Sequence, residues 1–258
     1  MNQKSKLLAV ILVLTSFFVC HALAVKYITG SPKNKEQTTS TKPQIKLPDF
    51  AKIQDIPTRK NSFFDFLKPM VDSENQRLRK LRSKLADMSA ADLQAIAKQY
   101  KVPEGTDIKK GLLLRIDEIP ASLVLAQAAT ESAWGTSRFA RDGNNLFGEW
   151  CYSKGCGIVP QQRSNHLTHE VRRFASPEMS IRSYMNNLNS HKAYQMLRKL
   201  RAEQRVRQQP LNGCYLANGL QSYSQKGSAY VKMIKAVIRV NKLEKNRQDC
   251  TTTLARST

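Results

Sequence analysis

Acidic side chains are scarce in this sequence: 20 Asp and Glu stand against 42 Lys and Arg over 258 residues, a formal charge of +22. A chain so short of anionic charge is drawn to polyanions, whether nucleic acid, anionic lipid or an acidic polymer. Charge alone does not choose among them. Histidines number 4 and cysteines 5, and their spacing offers no metal constellation. Cys151 and Cys156 lack the matching second pair that a zinc site would need, and His166 and His169 lie three apart without a further ligand. No metal and no cofactor is expected.

Location narrows the partners. Lys4 and Lys6 precede an apolar run from Leu7 to Val19, followed by Ala22-Leu23-Ala24, a small-x-small cleavage pattern. Residues 1–24 therefore read as a signal peptide, with an uncleaved anchor in the inner membrane through residues 7–25 as the alternative. Cys20 is a poor lipoprotein cysteine, because Phe17-Phe18-Val19 lacks the small residue expected before it. Removing the segment takes Lys4 and Lys6 and leaves +20 from the original +22. A chain exported before folding, into the periplasm or beyond, has no nucleic acid as its partner. The sequence names no oligomeric state.

Export also makes Cys151, Cys156, Cys214 and Cys250 a disulfide set. Of the three pairings, Cys151 with Cys156 across a turn carrying Gly155 and Gly157 is favoured, with Cys214 bonded to Cys250 to tie down the end of the chain. Residues 25–60 scatter Pro32, Pro43, Pro48 and Pro57 among Lys, Thr, Ser and Gln, the composition of a flexible linker. Folding is expected from residue 61, where Phe63, Phe64 and Phe66 begin a domain running to 245; residues 246–258 form a tail held by Cys250.

Within that domain the periodicity is mostly helical. Leu78, Leu81, Leu85 and Met88 recur at helical spacing from Asp72, Ser89 suits the cap of a second helix, and a third spans about 107–116. Ser176-Pro177-Glu178 opens another helix, whose apolar face carries Met179, Ile181, Tyr184, Met185 and Leu188. From 197 to 209, Arg198, Lys199, Arg201, Arg205 and Arg207 predict a helix with a strongly basic exposed face, either merely solvated or attracted to an anionic wall. Between 149 and 174, Gly155, Gly157 and Pro160 punctuate a stretch in which Glu170 to Phe174 has strand character.

One helix differs from the rest. After Pro120, residues 121–130 are apolar nearly all round, which predicts burial, and Gln127 and Glu131 share a face near its carboxyl end. A carboxyl group in an apolar site has a raised pKa and can hand a proton to a leaving group. The alternative is a surface Glu131 paired with Arg138 or Arg141.

Ala126-Gln127-Ala128, then Glu131-Ser132-Ala133-Trp134-Gly135-Thr136-Ser137, then Asn145-Leu146-Phe147-Gly148 resemble the glucosaminidase domain of glycoside hydrolase family 73. The resemblance extends from about residue 63 to 241. It implies a mainly α, lysozyme-like α+β fold with a small β-hairpin lobe, and cleavage of peptidoglycan glycan strands after N-acetylglucosamine. Glu131 matches the family's catalytic acid. Gln127, Trp134, Phe147 and Glu149 are candidates for substrate binding, with Tyr223 and Tyr230 in the closing segment. Asn144 and Asn145 are expected to cap or orient their loop, and Tyr194 to pack.

Glycoside hydrolysis usually employs a second carboxylate opposite the acid. Glu170 is the first candidate and Glu149 the second, with Glu178 better placed to open a helix. The strand that often carries this acid reads Ile158-Val159-Pro160-Gln161-Gln162 here, and glutamine cannot be a base. That departure leaves open a substrate-assisted mechanism, or a non-catalytic peptidoglycan-binding protein that retains the fold. An amidase acting on stem peptides would need a metal set or a nucleophilic thiol.

Overall fold

The computed structural model describes residues 45–161, 163 and 167–251. The export segment, the membrane-anchor alternative, most of the linker, Gln162 and His166 lie outside the described residues, as does the tail beyond 251. No helix among the described residues is long and apolar enough to cross a membrane.

The folded body begins earlier than the aromatic cluster suggested. Phe50, in a 3-10 turn at Phe50–Lys52, is buried, and its ring meets Phe63 and Phe66 edge-on at 5.4 and 6.0 Å. Helix α1 then runs unbroken over Ile56–Lys84, not from Asp72. Asp55 caps it by accepting the Thr58 N–H at 2.8 Å, and Pro57 occupies the first turn, where no amide donor is needed. The proline-rich composition that reads as linker thus includes a helix start. Phe63, Leu67, Met70, Val71 and Leu78 form its buried stripe.

Short helices α2 (Ala90–Gln99) and α3 (Ile108–Arg115) follow, the first capped by Ser89 as expected and the second by Asp107. Helix α4 spans Ala121–Glu131, and every residue from Ser122 to Ala129 is buried. It lies against α1, α8 (Gly213–Ala217) and α9 (Ser228–Val240). Its entry is fixed by Asn75 of α1, which donates to the Ile119 carbonyl at 2.8 Å and accepts the Ile119 N–H at 3.0 Å.

After α5 (Arg138–Gly143) the chain forms a three-stranded antiparallel sheet in the order β1-β3-β2: β1 is Trp150–Cys151, β2 Gly157–Ile158 and β3 Glu170–Arg172. Trp150 and Ile158 both pair with Val171. Among the described residues of the anticipated Ile158–Gln162 strand, only Ile158 is in the sheet. The disulfide Cys151–Cys156 closes the β1–β2 turn, and Cys214–Cys250 ties α10 (Gln248–Thr251) to α8. Both are the favoured pairs. The architecture is therefore mainly α with a small β lobe, as expected.

Helix α7 (Gln195–Val206) is where the structure corrects the sequence reading most. Two of its arginines, Arg198 and Arg201, do not lie on the solvated face. Arg201, 1% exposed, donates to the Leu114 and Arg115 carbonyls at the end of α3, to those of Asp117 and Glu118, and to Asn189 Oδ1. Arg198, also buried, donates to the Leu188 and His191 carbonyls at the end of α6 (Pro177–Ser190). Helix carboxyl ends leave carbonyls unpaired and carry partial negative charge, so a buried guanidinium satisfies both. Arg205 completes the knot with two bonds to Asp117. Lys199, Arg205 and Arg207 remain exposed.

Candidate active site

Glu131 is the last residue of α4, half-buried, and the chain leaves it through an unusual turn. Ala133, Trp134 and Gly135 all have positive φ, at 50°, 59° and 74°. Two non-glycine residues in the left-handed region cost energy, and such strain persists only where surrounding contacts enforce it. Here the Trp134 N–H donates to the Ala129 carbonyl at 2.9 Å and the Gly135 N–H to Ser132 Oγ at 2.8 Å.

The carboxylate ends a directional hydrogen-bond chain. Tyr184 O–H donates to Gln127 Oε1; Gln127 Nε2 donates to Tyr230 Oη at 3.0 Å; Tyr230 O–H donates to Glu131 Oε1 at 2.7 Å. Gln127 and Tyr184 are fully buried and Tyr230 is 3% exposed. Because its oxygen already accepts from Gln127, the Tyr230 hydroxyl directs its proton at Glu131. Oε1 is therefore an acceptor, and a proton on this acid belongs on Oε2. Burial raises the Glu131 pKa, opposed by the Tyr230 hydrogen bond and the charge of Lys226. Neither Arg138 nor Arg141 forms an ion pair with Glu131 among the described residues.

Aromatic stacking holds the chain in place. Phe147 lies flat on Tyr184 at 3.8 Å and Tyr223 on Tyr230 at 5.1 Å, while the Tyr223 hydroxyl donates to the Phe147 carbonyl. Burial pushes the Tyr194 hydroxyl up to about 12, assisted by the charges of Glu149 and Glu131. Burial likewise raises the Tyr184 hydroxyl, and both acids again contribute. The two carboxylates therefore act on one tyrosine cluster.

Asn144 and Asn145 orient the loop as expected. Asn144, at φ 49°, ends α5 and donates to the Phe174 carbonyl at 3.0 Å. Asn145 donates to the Glu149 and Arg172 carbonyls and accepts the Phe147 and Glu149 N–H groups, which sets Glu149. Glu149 has a pKa raised by burial, against a Ser183 hydrogen bond at 2.7 Å to Oε2 and the charge of Arg172. Its Oε1 is buried and has no hydrogen-bond partner among the described residues.

Glu170 sits differently. Its oxygens accept the N–H groups of Gly155 at 2.9 Å and Gly157 at 2.7 Å, and these bonds lower its pKa. The carboxylate braces the turn closed by Cys151–Cys156. Cys151, Cys156 and Glu170 form the one cluster of potential metal ligands among the described residues, but the two sulfurs are bonded to each other. Trp134 packs edge-on against Phe63 and Phe64 at 6.0 and 5.1 Å, with Lys60 over its ring. Trp150, unremarked in the sequence, is 54% exposed and lies on His169 at 4.0 Å with the rings 16° apart. Tyr184 and Ser183 were also missed, because on an amphipathic helix they read as packing and surface.

The family described as mannosyl-glycoprotein endo-beta-N-acetylglucosaminidase matches residues 113–243, which contain Gln127, Glu131, Glu149, Tyr184 and Tyr230. The chain belongs to this glucosaminidase family. It is similar to Protein bax of Escherichia coli strain K12, at 33% identity over 220 residues, covering 80% of this chain and 78% of the relative. Among solved structures it is similar to the catalytic domain of the autolysin Auto from Listeria monocytogenes. That likeness has 18% identity and a TM-score of 0.43, over 75% of this chain and 90% of the other. The family and the two disulfides are compatible with an extracytoplasmic location.

Proposed function

We propose that this chain is a peptidoglycan hydrolase of the endo-β-N-acetylglucosaminidase type, working in the periplasm or outside the cell, with Glu131 as general acid. The observation that carries the reading is the half-buried Glu131 with Oε1 held by Tyr230. Burial favours its protonated form, and the one-way chain directs that proton to Oε2, from which it would pass to the glycosidic oxygen.

For the second carboxylate we favour Glu149 over Glu170. Both oxygens of Glu170 are committed to backbone amides, whereas Glu149 keeps a buried oxygen unpaired in protein, a cost that native structures rarely carry without use. Arg172 supports its ionised form. The outer face of Trp150 offers a platform for a sugar ring, with His169 fixing the indole from behind. Trp134, in contact with α1 aromatics, supports the turn instead.

The deciding experiment is digestion of purified sacculi by wild type and Glu131→Gln, with released products reduced by borohydride and identified by mass spectrometry. Wild type is expected to release fragments ending in reduced N-acetylglucosamine, and the variant to release at least a hundredfold less. Equal release by both would remove Glu131 from catalysis. No release by either would leave a wall-binding protein.

A further inference from the structure

A cavity of about 530 Å³ opens beside Glu149, bounded by Arg77, Arg172, Arg173, Arg182, Ser183 and Asn186. It adjoins the candidate site directly: Ser183 lines the cavity while its hydroxyl donates to Glu149 Oε2, and Arg172 lines it while its charge favours ionised Glu149. Four guanidinium groups face two carboxylates. Glu74, itself buried, accepts both Arg77, at 2.6 and 2.9 Å, and Arg182 Nε, at 3.1 Å. Arg172 and Arg173 have no ion-pair partner among the described residues. Arg173 reaches only the Asp142 carbonyl, and Arg172 lies 5.9 Å from the Phe174 ring.

One further group bears on the ligand. Asn186 Oδ1 is buried and has no hydrogen-bond partner among the described residues. A buried acceptor of this kind asks for an N–H donor, and exposed guanidinium groups without a carboxylate partner are able to bind one. N-acetylglucosamine is neutral and explains none of the arginines. A ligand with several free carboxylates and backbone amide N–H groups on one short chain is an acidic peptide. Phe174 and Met179, which also line the cavity, would pack its apolar parts.

Resting on the glycosidase reading above, we propose that this cavity is a subsite for the acidic stem peptide carried by peptidoglycan, so that the protein selects peptide-bearing strands over bare glycan. The same carboxylate chemistry could come from the lactyl group of muramic acid once its peptide is removed. The peptide is favoured because it offers several carboxylates to the arginines, whereas the lactyl group offers one.

The test uses the full chain carrying Glu131→Gln, so that binding is measured without turnover. Calorimetry would compare a chitin oligosaccharide, a glucosaminyl-muramic acid disaccharide with a free lactyl carboxylate, and the same disaccharide bearing its tetrapeptide. The peptide-bearing ligand is expected to bind about tenfold more tightly than either other ligand, through one or two charge-assisted pairs. Adding Arg173→Gln and Arg182→Gln should abolish that preference, and lysine at both positions should restore part of it. High salt should erase the preference in the Glu131→Gln protein itself, which needs no arginine variant to fold. Equal affinities for all three ligands would overturn the proposal, and so would a preference that survives loss of both arginines. Tightest binding of the free lactyl form would assign the cavity to that carboxylate instead. Failure of wild type to digest sacculi would refute the glycosidase reading while leaving this affinity ratio to stand or fall separately.

Discussion

A single hydroxyl decides which oxygen of Glu131 can carry a proton. Tyr230 donates to Oε1 and so favours the ionised acid, while burial favours the neutral one, and burial prevails. On the proposed reading Glu131 is the general acid and must be protonated, so kcat/KM should fall as pH rises through its pKa. Tyr230→Phe removes a group that favours ionisation. That pKa should therefore move further up, and the alkaline limb of the pH profile with it. The maximal rate should fall by about tenfold or more, because the proton is no longer confined to Oε2. A limb that stays in place or moves to lower pH would contradict this role for Tyr230. Glu131 and Tyr230 were legible in the sequence because each lies in a motif with a recognisable neighbourhood. Tyr184 was not: a tyrosine within an apolar stripe has the same pattern whether it fills space or terminates a hydrogen-bond chain. Glu149 and Glu170 were both legible as acids, but their environments were not: two glycine amides hold Glu170, whereas Glu149 meets Ser183 and keeps Oε1 unpaired.

The turn after α4 shows how an element can hold a residue it does not touch. Gly135 has φ 74°, and a Cβ there would stand 2.6 Å from Phe50 Cδ2. Phe50 has little room to yield, being packed against Phe63 and Phe66. Gly135→Ala should therefore cost about 3 kcal/mol, combining a left-handed alanine with overpacking. Urea unfolding measures this, and a loss below about 1 kcal/mol would show that the turn relaxes freely. Activity should fall alongside stability, because Glu131 immediately precedes the turn. The Trp-Gly pair was visible in the sequence, but its support from Phe50 was not. A lone aromatic among prolines and lysines gives no periodic signal, and its burial depends on contacts with α1. The same limit applies to α7, where each guanidinium answers carbonyls brought near only by the tertiary fold.

For the whole molecule, the formal charge of +22 remains the property most evident from sequence, but its distribution changes what it does. Arg198 and Arg201 are buried and Arg205 is paired with Asp117, so these three side chains are committed to the fold and not presented to a ligand. The arginines around the cavity beside Glu149 and the exposed lysines are left to act on an anionic wall. Interactions between exposed charges are screened beyond about 10 Å at 0.1 M salt. Retention of the Glu131→Gln protein on purified sacculi should therefore weaken steadily with added salt, while its affinity for a soluble neutral chitin oligosaccharide should change little. Sedimentation with sacculi and calorimetry with the oligosaccharide, over one salt series, measure the two quantities on the same protein. Parallel loss of both would mean that salt acts on the fold or on glycan binding itself. Retention that ignores salt would mean that the excess charge serves no part in holding the wall, and that contacts to the glycan alone account for binding.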